Sequence, residues 1–368
     1  MYTILHSSAA SALTLMLIIG KTHSNLQVVH LNVISQQKIH GTMQPAMQPA
    51  MQAETRQWCA RTKRTPESRL HIYNRIAKAG SSSMRSILGA SSNENDVRKH
   101  AVLGATAALS VNSSLWGDLG HSDRTPHFME KLRFVSNLSM VYNVSAVVDG
   151  HFPFFPIRDV FSMHAGDSAT YLPYLQMMRD PVSRTISHFY YMKFESEDAL
   201  RRQRERKDVT SEAGKGILSL GDECADNEHC RGWLSRRCRA QMTYISGIKD
   251  ETMMLKNALK QASNPLFSHY AAIGLTEYFE ESLEMFECVA PMTFQGASTM
   301  YRRQPVRKKE GVAHATAFVS QKTARLIEDY CRDERILHDA VNRTFWARYK
   351  AMKETPELCC RERLRFPS

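Results

Sequence analysis

Beyond residue 69 the chain alternates short apolar runs with helix-like stretches, and this alternation restricts the available folds more than any other feature. "LHIYNRI" (70–76) reads as a strand, "SMRSILGA" (83–90) as a helix and "VSAVVDGH" (144–151) as a strand. "TYLPYLQMMR" (170–179) ends as a strand, and "DPVSRTISHFYYMKF" (180–194) follows as a helix. Strands separated by helices build βαβ units, because parallel neighbours need a crossover long enough to hold a helix. The second half repeats the scheme. "MMLKNALKQA" reads as a helix, "YAAIGL" as a short buried strand, and "TEYFEESLEMFECV" as a helix capped by Thr276, with glutamates in its first turns. A long helical region is expected from about Ala317 to Met352, with Leu337, Val341 and Phe345 recurring at i+4 on a buried face. The fold class is therefore α/β, with a central, mostly parallel sheet flanked by helices.

The N-terminal part has a different character. "ILHSSAASALTLMLIIG" (4–20) is densely apolar only from Ala9 to Ile19. That is short of the ~20 residues of a spanning helix and within the range of a signal-peptide hydrophobic region. A cleaved signal and a short signal-anchor both fit, and the first basic side chain, Lys21, follows the apolar run. Residues 21–64 are polar and irregular, and they contain the tandem "MQPAMQPAMQ" (43–52). The expected organisation is a signal or anchor over 1–24, a flexible stem over 25–68 and one catalytic domain over 69–368.

Lysine and arginine outnumber aspartate and glutamate by 48 to 37, a formal net charge of +11. An acidic partner is implied, and nucleic acid, anionic lipid and sulfated polysaccharide all satisfy charge alone. Of the eight cysteines, Cys224 and Cys230 form a close pair in "CADNEHC". No histidine or second CxxC lies at zinc-finger spacing, so a short disulfide loop is expected and no metal. Sequons at Asn112, Asn137, Asn143 and Asn342 add to the cysteines in favouring a lumenal location.

Two segments carry chemistry. In "NRIAKAGSSSMRSIL" (74–88) a strand gives way to "AKAGSSS" and then to a helix near Ser83. Backbone N–H groups, the positive end of a helix and serine hydroxyls would meet at one point, with Gly80 allowing close approach. Lys78 could neutralise charge on a bound phosphate or sulfate. An ordinary Ser-capped turn with a solvated lysine fits the same residues equally well. The lysine precedes the glycine, so this is not a Walker A loop, and a nucleoside triphosphatase or nucleotide kinase is disfavoured. In "MMRDPVSRTISHFYY", Arg179 closes a strand, Asp180 and Pro181 take the N-cap and N1 positions, and Ser187 lies two turns on. Arginine and serine could converge on a second phosphate, although the same pattern describes a capped helix with a surface arginine.

Together, "YNRIAKAGSSSMRSI" and "RDPVSRTISHFYYMKF" resemble the 5′-phosphosulfate loop and the 3′-phosphate motif of sulfotransferases that use 3′-phosphoadenosine-5′-phosphosulfate. The resemblance is to the uronyl and heparan sulfate 2-O-sulfotransferase family, and "YAAIGLTEYFEESLEMFE" and "FQGASTMYRR" extend it over roughly Arg69 to Met352. It implies a P-loop-like sulfotransferase fold. It also implies that Lys78, Ala79, Gly80, Ser81, Ser82 and Ser83 hold the 5′-phosphosulfate and that Arg179 and Ser187 hold the 3′-phosphate, with Arg307 a further cofactor contact. His151, closing the strand "AVVDGH" between the two motifs, matches the family's catalytic base, and Lys78 joins it in catalysis. Arg75 matches a substrate-side arginine. The implied acceptor is the 2-hydroxyl of a uronic acid in a glycosaminoglycan, not nucleic acid. The implied location is the Golgi lumen, as a single-pass type II membrane protein or, after cleavage, a secreted one; a homo-oligomer is compatible with it.

Two positions depart from that pattern. Asp149 stands where heparan sulfate members have a second histidine, "HGH" becoming "DGH". Ser246 in "YISG" stands where they have a cysteine, which leaves Cys238 without an evident partner. The basic runs at Arg201–Lys207, Arg236–Arg239 and Arg302–Lys309 could line a polyanion groove, at least one of them being plain solvated surface. The rival readings are a carbohydrate sulfotransferase of other position specificity and a catalytically silent polyanion-binding protein of the same fold.

Overall fold

A computed structural model of the chain describes residues 48–64, 70–74, 76–80, 83–84, 87, 146–150, 154, 174–192, 220–248, 250–263, 270–303 and 319–361. The chain enters through helix α1 (Gln48–Arg64) and continues into strands β1 (Leu70–Asn74), β2 (Ala146–Gly150) and β3 (Tyr174–Met178). Residues 181–192 form helix α2. Then come α3 (Asp222–Asp226), α4 (Glu228–Arg237), α5 (Ala240–Ser246), α6 (Glu251–Ser263) and strand β4 (Tyr270–Leu275). A 3₁₀ turn (Thr276–Tyr278) leads into α7 (Phe279–Val289), α8 (Pro291–Phe294), α9 (Ala297–Arg303), α10 (Gln321–Tyr330), α11 (Arg332–Glu354) and α12 (Pro356–Cys359).

The strands form one sheet in the order β2-β1-β3-β4, and every pair is parallel. All five residues of β3 are buried, four apolar side chains and the central Gln176, as expected of a strand covered on both faces. Successive strands leave β1 first toward β2 and then, across β1, toward β3. Connections therefore depart in opposite directions at the carboxyl ends of β1 and β3, the kind of crevice in which open α/β sheets bind ligands.

Most of the core lies between the sheet and α1, α6, α7 and α11. A smaller cluster joins Ile186 of α2 to Leu234 of α4, Ile327 of α10 and the Cys224–Cys230 and Cys238–Cys331 disulfides. Leu337, Val341 and Phe345 are buried as their spacing predicts. The helical region itself is two helices, interrupted at Cys331. Cys238 does have a partner: it bonds Cys331, 93 residues on, a pairing with no local spacing to announce it. Thr276 does not cap a helix. Its hydroxyl donates to the Met178 carbonyl at 2.9 Å and ties the end of β4 to the end of β3.

The stem expectation fails over residues 48–64, which form α1 and belong to the folded unit. Pro49, from the tandem repeat, falls in the first turn, where an amide hydrogen has no intrahelical acceptor to lose. Trp58 is buried, donates from Nε1 to the Ala271 carbonyl of β4 at 2.9 Å, and lies under the Arg348 guanidinium. Cys59 is bonded to Cys359 of α12, and Cys288 of α7 to Cys360. Among the described residues no helix is long and apolar enough to cross a membrane, and the apolar segment 4–20 lies outside them.

Two outcomes follow from this packing. Trp58→Ala should lower the unfolding free energy by about 3–5 kcal/mol in denaturant titration, as for a buried aromatic side chain; a loss below about 1 kcal/mol would return α1 to the stem. Asn342 of the fourth sequon is only 8% exposed, on the inner face of α11. Glycopeptide mass spectrometry of chain from a secreting cell should find it unmodified.

Candidate functional site

The carboxyl ends of β1, β3 and β4 converge on the turn that follows β1. Residues 77–80 form that turn; the Ala79 amide donates to the Ile76 carbonyl at 3.3 Å, and the Met84 amide donates to the Gly80 carbonyl at 3.0 Å, starting a helical turn that includes Ser83. Gly80 has φ +73°, a conformation strained for any residue with a side chain, and a Cβ there would stand 3.0 Å from the Phe279 ring of α7, a tight contact that the ring would have to relieve. Lys78 also has a positive φ, 66°, although it is not glycine. A conformation of this kind costs free energy and persists where surrounding contacts over-determine it.

Arg179 supplies one such contact. Its Nη1 donates to the Lys78 carbonyl at 3.2 Å, so the basic residue closing the second motif grips the backbone of the first. The Lys78 ammonium lies 3.9 Å from the centre of the Tyr191 ring on α2, a second link between the motifs. Burial pulls the Arg179 guanidinium below its ordinary pKa, and the Glu277 and Asp180 carboxylates oppose this. It remains a cation at neutral pH because an arginine starts so far above it.

The β3–α2 junction is held from three sides. Asp180 caps α2 as its sequence predicts, accepting from the Ser183 amide at 2.7 Å, and its other oxygen meets Arg335 at 2.9 Å. The Asp180 amide donates to Glu277 Oε1 at 2.7 Å. From the other side the Gln241 side chain pairs with the backbone of Arg179, its Oε1 accepting from the amide and its Nε2 donating to the carbonyl, each at 2.9 Å. Gln241 is in turn held by Glu334, which also pairs with Arg184 of α2 at 3.1 Å; all three side chains are fully buried. Burial drives the Glu334 carboxyl upward in pKa, against the pull of Arg184 and Gln241.

Of the residues expected at the site, Lys78, Ala79 and Gly80 lie on the turn, Ser83 in the helical turn after it, Arg179 just after β3 and Ser187, half-buried, on α2. Arg75, Ser81, Ser82, His151 and Arg307 lie outside the described residues. Asp149 is in β2, paired in register with Tyr73 of β1. The basic run at Arg236–Arg239 is in part structural, since Arg237 lies against the Trp233 ring and Arg239 pairs with Glu251. Arg302 pairs with Glu280 and Glu284. Sequence reasoning missed Gln241, Glu277 and Glu334. Tyr191 lay inside the quoted motif and could have been found there, whereas nothing around Gln241 in "CRAQMTYIS" marks it.

His338 of α11 stands behind this junction, with Nε2 3.8 Å from Glu277 Oε2 and Nδ1 3.9 Å from Asp339. Burial opposes its charge, but Asp339 and Glu277, with Asp180 beyond, outweigh that and raise its pKa to about 9. A folded-state pKa above the ordinary 6.5 means that protonated His338 stabilises the fold below about pH 6.5, and that this contribution is lost as pH rises through about 9. The stability difference between wild type and His338→Gln, measured by denaturant unfolding, should therefore be on the order of 3 kcal/mol at pH 6 and shrink toward zero by pH 10. A pH-independent difference would contradict the charge assignment.

No protein-family model matches the chain. Among curated proteins it is similar to heparan sulfate 2-O-sulfotransferase 1 of Xenopus laevis, 25% identical over 267 residues, 69% of this chain and 66% of that protein. It is also similar to the Gallus gallus protein of the same name, 28% identical over 133 residues, 35% of this chain and 34% of that one. Heparin sulfate O-sulfotransferase of Drosophila melanogaster is 26% identical over 239 residues, 62% of this chain and 58% of that protein. The chain thus spans just under two thirds of the frog relative and about a third of the chicken one. The chain is similar, over as much as 69% of its length, to proteins named as heparan sulfate 2-O-sulfotransferases, and its own two motifs are joined across one sheet edge.

Proposed function

We propose that the chain transfers a sulfuryl group from 3′-phosphoadenosine-5′-phosphosulfate to the 2-hydroxyl of a uronic acid in a glycosaminoglycan. The observation that carries the reading is the 3.2 Å bond from Arg179 to the Lys78 carbonyl. It brings two basic, hydroxyl-bearing segments to one crevice, as a donor with two anionic ends requires. The donor set suits such a ligand: an ammonium, a guanidinium and the Ser83 and Ser187 hydroxyls, on segments ending at the same sheet edge.

When bound, the nucleotide supplies an activated sulfuryl group. Lys78 and the turn through Ser83 hold its 5′ end, Arg179 and Ser187 its 3′-phosphate, and Arg307 adds a further contact. His151 takes the proton from the acceptor hydroxyl as the new S–O bond forms and the bond to the nucleotide phosphate breaks. Lys78 balances the charge that moves onto the departing phosphate. Arg75 binds a carboxylate or sulfate of the acceptor. The names of the similar proteins support sulfate transfer to heparan sulfate. A lumenal, Golgi setting with an N-terminal anchor belongs to the same proposal. Asp149 favours one other reading, polyanion binding without turnover, because a carboxylate cannot donate a proton as an imidazolium does.

Transfer of labelled sulfate to a panel of desulfated glycosaminoglycans tests the proposal. Wild type should label a uronate 2-position, and His151→Ala and Lys78→Ala should each lower the rate by at least about a hundredfold. Absence of transfer by wild type, with heparin binding intact, would favour the silent binding protein.

A further inference from the structure

We infer that Gln241 is a positioning residue for the anion site at Arg179, acting through a buried relay that runs from Glu334 and Arg184. The inference rests on the reading of Arg179 as the 3′-phosphate contact and deepens it. Arg179 follows the last residue of β3, so its own amide and carbonyl lie beyond the strand. Gln241 completes the edge with a side-chain amide, taking one hydrogen bond from the Arg179 amide and giving one to its carbonyl, both at 2.9 Å. A primary amide presents the same donor and acceptor as a peptide group, so Gln241 fixes the Arg179 backbone as a neighbouring strand would.

Gln241 is itself not free to turn. Its Nε2 also donates to Glu334 Oε1 at 2.8 Å, and its backbone amide donates to Glu334 Oε2 at 3.1 Å. Glu334 is held by Arg184 of α2, whose guanidinium also bonds the Arg237 carbonyl. Cys238 and Cys331, three residues before Gln241 and Glu334 respectively, are disulfide-bonded, which pins the starts of α5 and α11 together just ahead of the relay. With its backbone fixed, the Arg179 guanidinium keeps one nitrogen on the Lys78 carbonyl. The arginine fork has five N–H donors, so others are left for a phosphate.

The test compares binding of adenosine 3′,5′-bisphosphate and adenosine 5′-phosphate by calorimetry on the whole protein. Wild type should prefer the bisphosphate, and Arg179→Ala should remove most of that preference. Gln241→Met, close in size but unable to make either bond, should reduce the preference on the order of tenfold while 5′-phosphate affinity stays nearly constant. In the Arg179→Ala background Gln241→Met should change the preference no further. If wild type discriminates through Arg179 but Gln241→Met keeps the full preference, the positioning role is overturned. If wild type shows no preference, or Arg179→Ala leaves it intact, the reading of Arg179 itself fails. Should thermal unfolding show that Gln241→Met does not fold, Gln241→Asn, whose amide sits one methylene back from Arg179, carries the same expectation. An equal loss of affinity for both ligands in either variant would mark Gln241 as merely structural and overturn the inference.

Discussion

The parallel pairing of β1 with β3 is the constraint on which the rest of the molecule depends. Tyr73 lies in register with Leu175, so the turn after β1 and the arginine after β3 emerge at the same edge of the sheet. Because β2 and β4 lie on opposite sides of the β1–β3 pair, the chain leaves the carboxyl ends of β1 and β3 toward opposite edges of the sheet, and a gap opens between the two ends. The Arg179 to Lys78 bond spans that gap, and it also helps to hold Lys78 in a backbone conformation unusual for a residue with a side chain. Thr276 and Phe279 close the third side, one bonding the end of β3 and the other packed against Gly80.

Around this edge the protein places charges where water does not reach them. The Arg184–Glu334 pair is fully buried, and burying both charges takes back much of what their attraction supplies. Such a pair is a poor source of stability. Its value here is directional, because it aligns Gln241 and hence the backbone of Arg179. The Glu277–His338 pair, partly buried, acts in the same way on Asp180, so the two residues that join β3 to α2 are held by polar side chains on two sides. A network of this kind trades stability for a single geometry.

Much of the architecture was legible in the sequence because its signals are local. Predominantly apolar runs marked β3 and β4, the Asp180–Pro181 pair marked the start of α2, and the i+4 spacing marked the buried face of α11. Lys78, Gly80 and Arg179 stood out because strand, turn and basic residue follow one another within a few positions. What was not legible is non-local. Helix α1 carries a proline and little apolar pattern, and it is held by Trp58 against a strand more than two hundred residues away. The Cys238–Cys331 bond and the grip of Gln241 on Arg179 join residues 93 and 62 positions apart, and neither leaves a mark in its own neighbourhood. Thr276 was read as a cap because threonine before a helix usually is one; its hydroxyl found a carbonyl on the adjacent strand instead.

The central claim is that the turn after β1 and the junction after β3 form one anion site. Amide hydrogen exchange with and without adenosine 3′,5′-bisphosphate tests it most directly. The account predicts that peptides covering residues 76–84 and 179–187 gain protection together, with the same dependence on ligand concentration. Protection of one segment without the other, or of neither while the ligand is bound, would contradict it.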